Sequence, residues 1–126
     1  MEPKLNRLAG SALTNAAASR RREMRFEPPA ALRCAMAGSK DKVLVHDIGV
    51  GGLAVLSNLT FAPNRLQEFT LNLGPVTVVQ RARLAHARKR DDGRWIYGFE
   101  FLKERGRGAS IEELIDLITG SSIEFS

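Results

Sequence analysis

The chain has 126 residues, of which 44% are hydrophobic and 26% are charged, and its net charge is +5. This length accommodates one compact domain and excludes a second catalytic domain beside it. No apolar run approaches the roughly 20 residues that a membrane-spanning helix needs, and polar residues interrupt the N-terminal segment where a secretory signal would be apolar, so we expect a cytoplasmic protein without membrane insertion.

Residues 1–19 are rich in Ala, Ser and Asn without a sustained period, which predicts a flexible N-terminal lead before a domain at residues 20–126. Four arginines follow within six positions: Arg20, Arg21, Arg22 and Arg25. Pro28 and Pro29 end this segment. We therefore expect the arginines to be joined to the rest of the domain only through the two prolines.

Six segments are predicted to be β-strands, some because apolar and polar residues alternate and others, such as residues 53–56, because they form a short apolar run. They are residues 32–36, 42–46, 53–56, 67–73, 76–87 and 94–102. The glycines of DIGVGG, residues 47–52, separate the second strand from the third, and Asp91-Asp92-Gly93 is typical of a hairpin turn. In the last strand Trp95, Tyr97 and Phe99 share one face, and we expect them to fill a core.

The C-terminal part has the period of a helix, predicted over residues 109–119. Ser110 and Glu113 form a capping-box pattern, and Gly120 ends an apolar repeat. Its apolar members are Ile111, Leu114, Ile115 and Ile118. We expect a mainly β fold, a six-stranded antiparallel β-barrel with this C-terminal α-helix packed across an opening.

Catalytic residues are scarce. The histidines are His46 and His86, and the single cysteine, Cys34, alternates as a core residue and excludes an internal disulfide or a multi-cysteine metal site. His46 precedes Asp47, but neighbours in a regular strand point to opposite faces, so the two side chains should diverge. We expect no enzyme activity, no metal and no cofactor.

Basic charge is concentrated in two blocks. Residues 1–33 carry a net charge of +4 and residues 80–107 carry +5, whereas residues 108–126 carry −4. If the two blocks meet, they form a surface for a nucleotide, a nucleic acid or an acidic protein, and charge alone equally allows two separate solvated faces. Arg81 and Arg83 lie on one side of the longest strand, where we expect an exposed face.

The arginine segment and DIGVGG together resemble a known pair of motifs. Arg21 and Arg25 are spaced as RxxxR, and Asp47 to Gly52 is similar to [D/N]xSxxG some twenty residues later. In this order, before and within a small β-barrel, the motifs resemble those of the PilZ domain, a bacterial receptor for the dinucleotide cyclic di-GMP, here in single-domain form. The resemblance extends over residues 20–102 and implies the same barrel and C-terminal helix.

The resemblance also implies a ligand site. Arg21 and Arg25 would clamp guanine edges and phosphates, with Arg20 and Arg22 as electrostatic support, while Asp47, Gly49 and Gly52 would complete the site. Gly49 departs from the usual serine, whose hydroxyl could donate a hydrogen bond. The loss of one such bond costs about 0.5–1.5 kcal/mol, which weakens binding without abolishing it.

The function expected from the resemblance is a cyclic di-GMP receptor that changes conformation and signals through a downstream protein partner. The alternative is a degenerate module of the same fold that binds a protein and not the nucleotide. Nonspecific nucleic-acid binding is a third hypothesis, which the charge allows, but it lacks exposed aromatics interleaved with the basic residues, so we do not expect a nucleic-acid partner.

Overall fold

The computed structural model of the chain describes residues 24–40, 43–104 and 106–120, so the expected lead at residues 1–19 lies outside the described residues. Its elements are β1 (Arg33–Met36), β2 (Leu44–Ile48), β3 (Gly52–Ser57), β4 (Leu66–Leu73), β5 (Val76–Lys89), β6 (Trp95–Phe101), β7 (Arg107–Gly108) and α1 (Ile111–Thr119). In these ranges, no helix is both long and apolar enough to cross a membrane.

The six longer strands form one curled antiparallel sheet in the order β1-β4-β5-β6-β3-β2. Its two edge strands approach each other, and the Val43 amide donates to the Cys34 carbonyl at 3.4 Å across this seam. The mainly β architecture with six antiparallel strands and a C-terminal helix is confirmed. The two-residue β7, which pairs with β5, was not predicted because two residues have no measurable alternation.

Strand β2 extends further than its pattern predicted. Asp47 and Ile48 belong to the strand, and the break falls at residues 49–51. The strand continues because Ile48 pairs with Leu53 on one side and with Phe26 on the other. Two of the candidate site residues, Asp47 and Gly52, are therefore held in strands and not in a free loop.

The core is one cluster to which the strands and α1 both contribute. Phe69, Phe99 and Leu114 are essentially inaccessible to solvent, and the rings of Phe69 and Phe99 meet edge to face at 4.9 Å. Tyr97 and Phe99 fill the core as predicted, whereas Trp95 is half-buried at its margin. The outer face of the sheet is thereby left to the polar residues and to the candidate site.

Helix α1 begins at the predicted capping box. The Ser110 side chain accepts from the Glu113 amide, the Glu113 carboxylate accepts from the Ser110 amide, and Gly120 ends the helix at φ 75°. Buried residues Ile111, Leu114 and Ile115 face the barrel. An amphipathic helix of nine residues depends on such packing, because isolated helices of this length are marginal in water.

The hairpin between β5 and β6 also has the predicted turn. Gly93 has a φ of 88°, and the Arg94 amide donates to Asp92 at 3.0 Å. This backbone bond and the Arg94 side chain hold the pKa of the exposed Asp92 carboxyl below its ordinary value. Arg90 and Arg94 both pair with Asp92, so part of the second basic block is neutralised locally.

Candidate functional site

A bulge in β2 sets the position of Asp47. Val45 pairs with Val55 and Asp47 pairs with Ala54, so His46 is the extra residue. Ile48 is fully buried in the core cluster and Val45 packs against that cluster, although they are three positions apart. A strand without a bulge could not place both inward, and the two residues between them are consequently both turned outward.

His46 and Asp47 therefore converge. The His46 Nδ1 lies 2.7 Å from the Asp47 Oδ2, and the expectation that the two side chains diverge is wrong. Because an ionised carboxylate can only accept, Nδ1 carries the hydrogen of this bond. A period-two pattern cannot reveal the contact, since the bulge depends on how β2 registers with β3.

Arg25 lies on the other side of Asp47. Its Nη1 is 3.8 Å from the Asp47 Oδ1, with 37% of the arginine side chain and 26% of the aspartate side chain exposed. This is a long, partly solvated ion pair of the kind that contributes little to stability. It nevertheless brings together two of the residues that the motifs singled out.

The segment around Arg25 is bound directly to β2. The Phe26 amide donates to the Ile48 carbonyl at 2.8 Å, and the Ile48 amide donates back to the Phe26 carbonyl at 3.0 Å. Phe26 also packs against the core cluster. The expectation that only Pro28 and Pro29 join this segment to the barrel is therefore wrong, since the pairing of Phe26 with the edge of β2 holds it as well.

Gly49 provides the space for this docking. A Cβ at position 49 would overlap the Met24 carbonyl oxygen and would touch the Arg25 side chain. The glycine is buried, and its amide donates to the Gly52 carbonyl at 2.9 Å. In this chain the position of the expected serine side chain is thus filled by the backbone of the arginine segment.

Gly52 makes a close approach of a different kind. A Cβ there would overlap the Phe99 carbonyl oxygen of the paired strand β6. Gly52 therefore keeps β3 and β6 in contact directly behind the site, which is a structural requirement of the barrel. The glycines at positions 49 and 52 serve two different contacts, one with the arginine segment and one with the sheet.

Beside Asp47, a row of paired residues crosses the outer face of the sheet from β2 to β5. Asp47 pairs with Ala54, Ala54 with Gly98, and Gly98 with His86. The imidazole of His86 lies against Gly98, where a Cβ would overlap three atoms of the ring. His86 reaches this row through a second bulge, between Leu84 and His86. Next to Asp47, this row therefore contains two small residues, Ala54 and Gly98, and the planar imidazole of His86.

Of the other arginines that the sequence singled out, Arg81 and Arg83 lie in the described part of the chain. Arg20, Arg21 and Arg22 lie outside the described residues. Arg81 and Arg83 are exposed on β5 as expected; Arg81 pairs with Glu104 at 3.2 Å, and Arg83 is opposite Glu100 in the ladder. Neither arginine contacts Arg25 or Asp47 within the described part of the chain.

A cleft of about 540 Å³ between the DIGVGG loop and the start of α1 does not include the site. Val50 and Gly51 line it, but Arg25 and Asp47 do not. Glu112 and Glu113 also line it, and their carboxylates would repel an anion. Within the described ranges, no group of three or more His, Cys, Asp or Glu side chains is arranged to hold a metal ion.

Sequence reasoning missed His46 and His86 as residues of this surface. No local pattern marks either one, because the bulge that turns Asp47 to the same face as His46 and the bulge that turns His86 outward both depend on the partner strand. The available signal was weaker: a histidine adjacent to the candidate acidic residue, and a glycine, Gly98, inside an otherwise aromatic strand, where close approach by another group is common.

Comparison with known proteins agrees with this architecture. A solved structure described as the crystal structure of a Legionella uncharacterized protein, Lpg0364, is similar with a TM-score of 0.51 and 14% identity, over 64% of this chain and 78% of that one. At this identity the likeness concerns the fold alone. No curated protein matches the sequence.

The profile of the PilZ domain matches residues 19–120, which is most of the chain and includes the arginine segment, the barrel and α1. The resemblance inferred from the two motifs is thereby confirmed. This chain belongs to the PilZ domain family.

Proposed function

We propose that this chain binds cyclic di-GMP at the surface formed by Arg25, Asp47 and the residues that precede Arg25, and that binding changes the conformation offered to a protein partner. The family to which the chain belongs is one of cyclic di-GMP receptors. The observation that carries the proposal is the convergence of Arg25 and Asp47, whose side chains approach within 3.8 Å from separate parts of the chain.

The chemistry of this pair suits a guanine nucleotide. A carboxylate accepts from the N1–H and the exocyclic amine of guanine, while a guanidinium donates to O6 and N7 or to phosphate. Arg21, with Arg20 and Arg22 as support, would add charge for the two phosphates. Gly49 and Gly52 would shape the backbone beneath the ligand, so the proposed site has the five residues that the motifs named.

The same pair supports a conformational response. A guanine that donates to Asp47 and accepts from Arg25 would replace the 3.8 Å ion pair between the two side chains, so we expect Arg25 to move when the ligand binds. Arg25 is adjacent to Phe26, which pairs with Ile48. A displacement of Arg25 would therefore be transmitted directly to the edge strand β2. We propose that ligand binding changes the conformation of β2 and of the arginine segment, and that a partner protein recognises the changed surface.

Calorimetric titration with cyclic di-GMP tests the receptor. We expect saturable binding by the wild-type chain, and a loss of affinity of at least about tenfold in Arg25→Ala, which corresponds to about 1.4 kcal/mol. Arg83→Ala is the matched control, because Arg83 is an exposed arginine of β5, separated from Gly52 by the intervening strand β6, and the affinity of this variant should stay close to that of the wild type. Equal affinities in Arg25→Ala and wild type would refute the assignment of the site.

One observation favours the alternative of a module that binds a protein and no nucleotide: the Met24 backbone lies where a serine side chain would point toward the ligand. That hypothesis predicts salt-sensitive capture of an acidic partner that cyclic di-GMP does not affect. Folded wild-type protein that gives no heat with up to about 100 µM ligand would favour it over the receptor.

A further inference from the structure

The closest polar contact of Asp47 is with His46. The bond from His46 Nδ1 to Asp47 Oδ2 measures 2.7 Å, whereas the ion pair with Arg25 is 3.8 Å long. Among the residues that the structure describes, no other side chain pairs with this carboxylate. Without His46, only the longer contact with Arg25 would restrain the partly exposed Asp47 carboxylate.

The two partners of Asp47 differ in what ligand binding would do to them. Arg25 belongs to the segment that pairs with the edge of β2, and we expect it to exchange its long contact with Asp47 for the ligand. His46 is adjacent to Asp47 in the same strand, held beside it by the bulge, and need not move. An ionised carboxylate has about four lone-pair positions, so one bond from His46 leaves enough for the two donors of a guanine edge.

We propose that His46 is a positioning residue, which fixes the Asp47 carboxylate in the orientation that accepts the guanine edge. The proposal rests on cyclic di-GMP binding at this site. The bulge in β2 is what makes this role available, because it turns two consecutive side chains to the same outer face. A carboxylate fixed before binding loses less conformational entropy when the ligand is bound.

The test compares two substitutions of His46 by calorimetric titration with cyclic di-GMP. We expect His46→Ala to weaken binding by about fivefold, and His46→Asn to stay within about twofold of the wild type, because the asparagine amide can donate from nearly the position of the imidazole Nδ1. Leu44→Ala is the matched control, since Leu44 is on the same strand, is 57% exposed and does not contact Asp47. This variant should bind like the wild type.

A second measurement detects the hydrogen bond between His46 and Asp47 directly. In nitrogen-15 NMR of the imidazole, we expect His46 to carry its hydrogen on Nδ1 in the ligand-free protein and to retain that hydrogen bond in the complex. Loss of the bond when the ligand binds would mean that His46 competes with the ligand, and it would overturn the positioning role. The NMR spectrum without ligand does not depend on whether cyclic di-GMP binds.

The outcomes separate the two proposals. No binding by the folded wild type would overturn the proposed function and the role of His46 with it. Tight binding by the wild type, together with equal affinity in His46→Ala, would overturn the role of His46 alone. Equal weakening in His46→Ala and His46→Asn would also contradict it, because the asparagine should restore the donor.

Discussion

At the scale of single residues, the candidate site depends on two glycines, Gly49 and Gly52, as much as on the charged side chains of Arg25 and Asp47. Gly49 and Gly52 each lie where a Cβ would overlap a carbonyl oxygen, but the two oxygens belong to different parts of the molecule. The oxygen near Gly49 is on Met24, in a segment held by one bridge to β2. The oxygen near Gly52 is on Phe99, in the centre of the sheet.

This difference predicts opposite consequences for two substitutions. Gly49→Ser should displace Met24 and Arg25 and weaken cyclic di-GMP binding by about tenfold, with the free energy of unfolding lowered by only about 1 kcal/mol. Gly52→Ala should instead lower the free energy of unfolding by about 2–3 kcal/mol, because β6 cannot move away without breaking its ladder. Urea denaturation and calorimetric titration measure the two effects.

The result for Gly49→Ser decides between two explanations of the glycine. If Gly49 had simply lost a hydroxyl that donates to the ligand, the serine should strengthen binding by the equivalent of about 0.5–1.5 kcal/mol. Tighter binding by Gly49→Ser would therefore contradict the inference that the arginine segment requires a glycine beneath it.

At the scale of elements, α1 depends on the barrel, and the barrel core depends on α1. The helix has a complete capping box, but its stability comes from Ile111, Leu114 and Ile115, which join the same core cluster as the strands. A cap satisfies one or two backbone amides at the surface, whereas the apolar face removes side chains from water. Burial of the apolar face should therefore contribute more to the stability of α1 than the cap does.

We expect Leu114→Ala to lower the free energy of unfolding by about 3 kcal/mol, because Leu114 is fully buried and a cavity would remain in the core. Ser110→Ala, the control, removes only the cap and should cost about 1 kcal/mol. Urea denaturation of both variants measures the difference. Equal losses would show that α1 is held mainly by its cap and not by its contact with the barrel.

At the scale of the whole molecule, the barrel has a seam between the two edge strands of its sheet. β1 and β2 are the edges of the sheet, and the bond from Val43 to Cys34 spans the seam between them. Cys34 is itself buried at this seam, and burial raises the pKa of its thiol to about 12. Reagents can therefore reach an ionised Cys34 only when the barrel opens.

Alkylation of Cys34 measures that opening. At pH 8 we expect iodoacetamide to modify the native protein at least about a hundredfold more slowly than the urea-unfolded chain, because the reactive species is the thiolate. Comparable rates in both states would show that the seam is open in the native state.

The pKa of Cys34 also predicts how stability changes in alkali. The unfolded thiol ionises near its ordinary pKa of 9.0, whereas the folded thiol stays protonated until about pH 12. The free energy of unfolding should accordingly fall between these two pH values, since only the unfolded state loses the proton there. Cys34→Ala should lack this part of the pH dependence, even if its stability at neutral pH is lower.

Much of the fold was determined by the sequence itself. Alternation and short apolar runs predicted the six strands, turn chemistry predicted the hairpin at Asp92 and Gly93, and the capping box predicted the start of α1. These features are decided by residues within a few positions of one another, so a local pattern records them. The two motifs likewise sufficed to identify the PilZ domain family, which the match over residues 19–120 confirmed.

Tertiary structure alone decided the geometry of the candidate site. The bulge that joins His46 to Asp47, the pairing of Phe26 with Ile48, and the approach of Met24 to Gly49 all depend on segments distant in the sequence or on strand register. Periodicity within one strand carries no information about where its partner inserts or omits a residue. For this reason the sequence named Arg25 and Asp47 but could not show that they meet, or that His46 lies beside them.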